Sequence, residues 1–232
     1  GALLALGDKN ISVALLTTAG AAPGLTGTGR ITSSNGFFLN HTGTDPVLEA
    51  VLAGAGGLTK AQTSVVTLKG LSSYEGITEI QNGGLVIETI GNVGSGPSSL
   101  GNPSNAQTAI IRGGTTTAAT SLTYIGAGST TDRVIAMQGT TGGFTLNGSG
   151  TGAVAYGSVR GFTPGAKTLT LGGTSAGGIN NSITSVENGV ATISVLKTDA
   201  NTWELAGTNS YSGTTNVNNG TLRNMAVQNL TG

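Results

Sequence analysis

Several residue types that most functional sites require are missing or scarce in this chain. Cysteine is absent from its 232 residues, which excludes disulfides, thiolate chemistry and zinc–cysteine sites. Charged residues make up 9% of the chain and the net charge is zero, whereas ordinary globular domains carry about 25%. No basic run is present, so we do not expect nucleic-acid binding through phosphate neutralisation.

Long apolar runs are also missing. The two apolar runs near the N-terminus are split by Asp8-Lys9-Asn10, which argues against a signal-peptide core or a membrane span. The chain starts at Gly1, and we interpret it as processed or excised.

Glycine is abundant, with 41 residues, and separates short runs of Val, Ile, Leu and Thr. Such runs, bounded by Gly and Asn, are typical of short strands with turns that need a positive φ. Residues 45–52 have some helical character, but their counterpart at 152–159 does not, so we predict strand in both. Strands without amphipathic helices leave two architectures open, a β-sandwich or barrel and a β-solenoid.

An internal repeat favours the solenoid. Residues 57–86 align with 194–223 without a gap at an offset of 137, which pairs Tyr74 with Tyr211 and Lys60 with Lys197. A second match, 36–44 with 143–151, runs at an offset of 107. The later copy therefore carries 30 additional residues. A solenoid accepts an extra coil because each coil contacts only its neighbours.

We therefore predict two solenoid modules. Residues 1–90 form the first, with an atypical N-terminal part that is a candidate cap or assembly segment. Residues 91–108, which hold Pro97 and Pro103, form a projecting loop and the seam between modules. Residues 109–232 form the second module, with an inserted coil at about 158–190. The predicted inward rows are Val66/Leu68, Ile77 or Thr78/Ile80, and Leu85/Ile87.

The later copy carries a recognisable motif: Leu196-Lys197, Trp203-Glu204-Leu205-Ala206-Gly207, Asn209-Ser210-Tyr211-Ser212-Gly213 and Asn219-Gly220-Thr221-Leu222. It resembles the autotransporter-associated β-strand repeat family. The first copy departs from the motif, with Val66 in place of Trp and Gly84 in place of Thr. The resemblance implies a right-handed parallel β-helix within a large secreted or surface-anchored bacterial protein.

Aromatic residues and the single histidine are the first candidates for a binding site. Tyr74 and Tyr211 could form a sugar-stacking row, but packing at a coil corner with a hydrogen bond to the backbone is the favoured interpretation. Trp203 is predicted to be a core or half-buried strand residue. His41 is predicted to be an exposed loop residue, and one histidine does not make a metal site.

Acidic residues give no catalytic pattern. Glu75 and Glu79 are close in sequence, but their counterparts are Ser212 and Asn216, so a solvated surface is favoured over acid–base chemistry. Asp132 and Arg133 are predicted to be structural. We therefore expect no enzyme, with no catalytic residue, cofactor or metal site.

These observations predict a structural extracellular β-solenoid, either a segment of a bacterial surface or secreted adhesin-like protein or a filament subunit. Its expected contacts are a cell or matrix surface and other copies of itself, end to end through open coil edges. The alternative is a carbohydrate-binding or carbohydrate-active β-helix.

Overall fold

The computed structural model describes residues 4–20, 25–43, 45–114, 117–179, 183–184 and 191–225. Parts of the predicted insertion, residues 180–182 and 185–190, lie outside this range. Every regular element in the described part of the chain is a β-strand. The strands are β1 (Leu4–Ala5), β2 (Asn10–Val13), β3 (Leu16–Gly20), β4 (Leu25–Thr26), β5 (Arg30–Ser33), β6 (Phe37–His41), β7 (Val47–Leu48), β8 (Val51–Gly54), β9 (Leu58–Ala61), β10 (Val65–Leu68), β11 (Ser73–Tyr74), β12 (Thr78–Ile80), β13 (Gly83–Ile87), β14 (Ile111–Gly113), β15 (Thr120–Tyr124), β16 (Ser129–Thr130), β17 (Val134–Met137), β18 (Phe144–Gly148), β19 (Val154–Tyr156), β20 (Ser158–Gly161), β21 (Gly165–Gly173), β22 (Gly177–Ile179), β23 (Ile183–Thr184), β24 (Ala191–Lys197), β25 (Thr202–Leu205), β26 (Thr215–Val217) and β27 (Thr221–Asn224).

The strands wind into a parallel β-solenoid with three faces. The first face is an eight-stranded sheet in the order β7-β10-β13-β15-β18-β21-β24-β26. The third face is also eight-stranded, in the order β3-β6-β9-β12-β14-β17-β20-β23. The second face lies between them along the chain and is made of two sheets, β2-β5-β8-β11 and β16-β19-β22-β25-β27. Strands β1 and β4 form a separate parallel pair. This arrangement confirms the predicted parallel β-helix.

The core is a narrow tube filled by columns of stacked side chains. On the first face, Val66, Leu85, Leu122, Leu146 and Leu171 follow one another in register, and all are fully buried. Parallel strands one coil apart lie about 4.8 Å from each other, so each apolar side chain packs on the next. Burial along β10, β12 and β13 confirms the predicted inward rows and selects Thr78, not Ile77, as the inward residue.

The second face is interrupted where residues 88–110 leave the sheet pattern. Their backbone forms an antiparallel bridge, Ser72 to Ser98, and Ser98, Ser99 and Leu100 are buried. Residues 104–107 stay exposed. The strands before and after this segment pair directly, β12 with β14 on the third face and β13 with β15 on the first face, so both faces continue without a break. The predicted projecting loop, residues 91–108, thus lies against the solenoid through residues 98–101, with its longest exposed stretch at 104–107.

The two copies of the repeat occupy different faces. Strands β9, β10, β12 and β13 of the first copy correspond to β24, β25, β26 and β27 of the second at the offset of 137. Strand β9 lies on the third face and β24 on the first, while β10 lies on the first face and β25 on the second. The second copy is therefore rotated by one face around the solenoid axis.

The shift in offset from 107 to 137 arises from an additional turn of the solenoid. In the earlier region β6 pairs directly with β9. In the later region β18 pairs with β21, and β21 pairs with β24. One additional turn thus lies between the two matching blocks of the later copy.

Residues 45–52 contain strands β7 and β8, which confirms the prediction of strand over helix. Within the described residues, no helix is long and apolar enough to cross a membrane.

Candidate functional site

Each copy of the repeat builds a corner of the solenoid around a buried lysine. Lys60 and Lys197 are both inaccessible to solvent. The Lys60 Nζ donates hydrogen bonds to the carbonyls of Ala61, Gln62 and Asn82 at 2.6, 2.9 and 3.3 Å. The Lys197 Nζ donates to the carbonyl of Thr198, to that of Asp199 at 2.7 Å and to that of Asn219 at 3.4 Å. All three acceptors correspond at the offset of 137, so the two corners share one design.

The corner requires an unusual backbone conformation. Gln62 and Asp199 occupy equivalent positions and have positive φ angles of 62° and 44°, a region that costs energy for residues with a side chain. This conformation brings the carbonyl group of each residue toward the lysine ammonium. Hydrogen bonds from a charged donor are stronger than those between neutral groups, so the bonds that the lysine donates act against this cost.

A surface groove of about 640 Å³ lies at the second corner, the one built around Lys197. Its polar lining residues are Asn147, Ser149, Thr174, Asp199, Asn201 and Asn219. They belong to four successive turns, because Asn147 lies on β18, Thr174 follows β21, Asp199 follows β24 and Asn219 follows β26. The groove therefore runs along the solenoid axis across the corner between the first and second faces.

Hydrogen bonds within the protein fix the polar groups of this groove. Asp199 Oδ2 accepts from the Gly173 N–H at 2.6 Å, and Asn219 Oδ1 accepts from the Gly220 N–H at 2.8 Å. Asn147 Nδ2 donates to Thr123 Oγ1 at 3.3 Å. Asn201 Nδ2 donates to the carbonyls of Gly172 and Ser175. The side chains are thus held in defined orientations before any ligand binds.

Sequence reasoning did not identify this groove. Asp199 stands in no recognisable motif, and Asn219 is recognisable only as part of the repeat. A usable signal was the difference between the two copies: Asp199 replaces Gln62 and Asn201 replaces Ser64, while Lys197, Asn219 and Gly220 are retained. Thr174 has no counterpart because it belongs to the additional turn.

The paired tyrosines are structural in both copies. The Tyr74 hydroxyl lies 2.7 Å from Thr78 Oγ1, and the Tyr211 hydroxyl lies 2.7 Å from Thr215 Oγ1. Tyr74 is fully buried and packs against Phe37. The favoured packing interpretation is correct for Tyr74, but the hydroxyl partner is a threonine side chain where a backbone group was predicted.

Trp203 and His41 are both core residues. Trp203 is fully buried, stacks on Tyr156 with ring centroids 6.4 Å apart, and donates from Nε1 to the Gly172 carbonyl at 3.0 Å. This confirms the prediction for Trp203. The prediction for His41 was wrong: His41 ends strand β6, is fully buried and hydrogen-bonds Thr18 Oγ1 through Nε2 at 2.8 Å. Its position on the inward side of the strand follows from the alternation of Phe37, Leu39 and His41.

The acidic candidates are surface residues. Glu75 is exposed and Glu79 half-buried, and Glu79 stands opposite Arg112 on the neighbouring strand. Neither lines the groove at the second corner. Searching the described residues for three or more clustered His, Cys, Asp or Glu side chains finds no group that could hold a metal ion.

Arg133 is almost fully buried and anchors the segment 88–110. Its Nε donates to the Ala109 carbonyl and its Nη1 to the Leu100 carbonyl, both at 2.7 Å. Asp132 Oδ1 accepts from the Val93 N–H at 2.9 Å. Burial lowers the pKa of Arg133, and the nearby Tyr74 and Asp132 partly oppose this shift. Both residues hold the segment on the solenoid, in agreement with the structural role predicted for them.

Comparison with known proteins identifies the repeat. The family model for the passenger-associated-transport-repeat matches residues 58–87 and 195–223. The chain is 33% identical over 213 residues to the adhesin BmaC autotransporter of Brucella suis biovar 1 (strain 1330). This match covers 88% of the chain but 6% of that adhesin's length. No solved structure matches the chain. The predicted resemblance is confirmed: the chain carries two passenger-associated-transport repeats, at 58–87 and 195–223, one face apart on the same solenoid.

Proposed function

We propose that this chain is a segment of an extracellular, adhesin-like passenger of an autotransporter. The observation that carries the proposal is the similarity to an autotransporter adhesin along 88% of the chain, together with two passenger-type repeats. A solenoid of stacked turns gives length and stiffness with few charges. Its contacts with a host surface would come from the corners and from the segment 88–110, since turns and loops carry most binding residues on rigid scaffolds.

Binding of the purified chain to host cells tests this function. We expect saturable binding of the folded chain that a heat-unfolded sample does not show. Surface location is tested separately by labelling intact cells of the source bacterium with an antibody raised against the chain. Cells that label only after permeabilisation would contradict the extracellular location, and a chain that binds no cell type would contradict the adhesive role.

End-to-end self-association stays a prediction from the sequence. Parallel solenoids can stack through the edges of their terminal strands. Electron microscopy of the purified chain over a concentration series tests it. Filaments with an axial repeat of whole turns would support a polymerising subunit, whereas short rods at every concentration would contradict it.

A further inference from the structure

We propose that the groove at the second corner binds a neutral, hydroxyl-rich saccharide on the surface to which the chain adheres. This inference rests on the adhesive function proposed above and names the chemical class of its ligand. The groove measures about 640 Å³, within the range of about 300–1,000 Å³ that small-molecule sites occupy. Asp199, Thr174 and Asn219 are exposed there, and Asn147 and Ser149 are half-buried.

The lining presents both hydrogen-bond donors and acceptors in fixed positions. Asn219 uses its oxygen for the Gly220 N–H, so its amide hydrogens remain as donors. Asn147 uses Nδ2 for Thr123, so its amide oxygen remains as an acceptor. A sugar hydroxyl donates one hydrogen bond and accepts others, and neighbouring hydroxyls on a ring need this mixture. Groups already held in place cost less ordering entropy on binding.

The charge distribution favours a neutral ligand. Asp199 is the single charged side chain among the described lining residues, and it is acidic. The ammonium of Lys197 at this corner is buried and donates to three backbone carbonyls. An anionic sugar would therefore meet a carboxylate and no cationic side chain among the lining residues, and like charges at short range repel.

The two copies of the repeat share the residues that build the corner and differ at some of the positions that line the groove. Positions that build the corner are the same in both, since Lys60 and Asn82 match Lys197 and Asn219. Asn219 also lines the groove, but two other lining positions differ, with Asp199 in place of Gln62 and Asn201 in place of Ser64. The additional turn supplies Thr174 and the Gly173 N–H that orients Asp199. The later copy thus differs from the first by an additional turn and by side chains that line the groove, while the lysine and the asparagine of the corner are the same in both.

The test is an array of neutral and acidic oligosaccharides probed with the whole chain and with one groove-filling variant. Thr174→Trp puts a large ring into the groove from an exposed position. Thr63→Trp puts the same ring at the corner of the first copy, where Thr63 is exposed, and is the matched control. We expect the wild-type chain to bind neutral glycans. Thr174→Trp should weaken that binding about tenfold or more, the equivalent of about 1.4 kcal/mol, and Thr63→Trp should leave it unchanged.

A second variant tests the choice of a neutral ligand. Asp199→Asn removes the charge, and Asn tolerates a positive φ better than most residues. We expect it to raise binding of carboxylated glycans relative to neutral ones. Circular dichroism and melting curves verify the fold of each variant, and Ala200→Tyr replaces Thr174→Trp if that variant melts early.

Three results would overturn the proposal: no glycan bound, equal binding by the wild type and the folded groove-filling variant, or a preference of the wild type for acidic glycans. Comparing adhesion to cells with binding on the array distinguishes failure of the groove proposal from failure of the adhesive function. If the wild type and Thr174→Trp adhere equally to cells, adhesion stands and the groove proposal fails. If neither adheres while the array shows groove-dependent binding, the groove proposal stands and the adhesive function fails.

Discussion

Lys60 and Lys197 are 137 residues apart, lie on different faces and make the same three hydrogen bonds. Each ammonium ties together two residues that follow it directly and one residue of the next turn. The lysine thus closes a corner within one coil and joins that corner to the coil above. A fully buried cation without a buried carboxylate partner is costly, and here the carbonyl dipoles take the place of the carboxylate.

Replacing either lysine by methionine is expected to destabilise the solenoid. Methionine fills similar space but donates no hydrogen bond, so three carbonyls at the corner lose their partner. Each buried group left without a partner costs about 1–3 kcal/mol, and part of each corner is reached by water. We expect Lys60→Met and Lys197→Met to lower the free energy of unfolding by about 2–4 kcal/mol in urea titrations.

Lys69 provides the control for these variants because it is exposed. Lys69→Met should change the free energy of unfolding by no more than about 0.5 kcal/mol. A Lys60→Met variant as stable as Lys69→Met would show that the corner does not depend on the ammonium group.

Stability is expected to rise with pH between about 8 and 10, which is unusual for a protein. Burial lowers the pKa of Lys60 to about 8, whereas the unfolded value is about 10.4. Between these values the unfolded chain binds more protons than the folded chain, so the free energy of unfolding increases with pH. Burial also lowers the pKa of Lys167 and Lys197, which acts in the same direction.

Above pH 10, we expect the buried tyrosines to make the free energy of unfolding fall as the pH rises. Burial raises the pKa of Tyr74 to about 12 and also raises that of Tyr156. The unfolded chain then loses phenolic protons that the folded chain keeps, so stability falls as pH rises. Urea titrations from pH 7 to 11 should show a maximum near pH 10, and Lys60→Met should have a shallower rise. A free energy of unfolding that stays constant between pH 8 and 10 would contradict the lowered pKa of Lys60.

The strand pattern and the inward rows could be predicted from the sequence because they depend on local alternation. Val66, Leu68, Leu85 and Ile87 alternate with residues that face outward, and the period of two fixes which side is buried. The repeat then indicated stacking of turns. Nothing in local alternation, however, states which face a given strand occupies, so the rotation of the second copy by one face became visible only in the structure.

The groove could not be predicted because it is assembled from four turns. Asn147 and Asn219 are 72 residues apart, and only the pairing of β18, β21, β24 and β26 brings them to one corner. His41, in contrast, was predicted wrongly although the local pattern of its strand held the information. Its counterpart in the second match is Gly148 and a loop was predicted, but the alternation of β6 extends through His41, and Thr18 provides a hydrogen-bond partner in the core.

Gly177 is required beneath the ring of Trp203. A Cβ at Gly177 would lie 2.7 Å from Trp203 Cε2 and Cζ2, so Gly177→Ala must displace the ring from Tyr156 or move the strand. We expect a loss of about 1–3 kcal/mol in the free energy of unfolding. Trp203 is the one tryptophan in the chain, so its fluorescence reports the displacement directly.

The adjacent Gly178 gives a matched control because its Cβ would point to the outer side of β22. The nearest atom there, the Glu204 carbonyl oxygen, lies 3.5 Å away. Gly178→Ala should therefore leave both the stability and the Trp203 emission close to wild type. Equal effects of the two substitutions would mean that the packing of Trp203 is not the cause.

Replacing Arg133 is expected to lower the local stability of the segment 88–110 more than that of the solenoid strands. Arg133→Met removes the donors for the buried carbonyls of Leu100 and Ala109, but the first and third faces run past this segment unbroken. We expect amide hydrogen exchange of residues 90–109 to become about 10- to 100-fold faster, a loss of about 1.4–2.8 kcal/mol in local stability. The amides of β10 and β13 should exchange at the wild-type rate.

Arg223 is the control for this experiment, since its side chain is 61% exposed and its Nη1 lies 3.4 Å from Glu204 Oε1. Exposed ion pairs contribute about 0–1 kcal/mol, so Arg223→Met should not alter exchange in residues 90–109. If Arg133→Met also left that exchange unchanged, the contacts of Asp132 with Val93 and Asn92 would suffice to hold the segment. A uniform increase across all faces would instead mean that the segment and the solenoid unfold together, because the buried arginine links them into one cooperative unit.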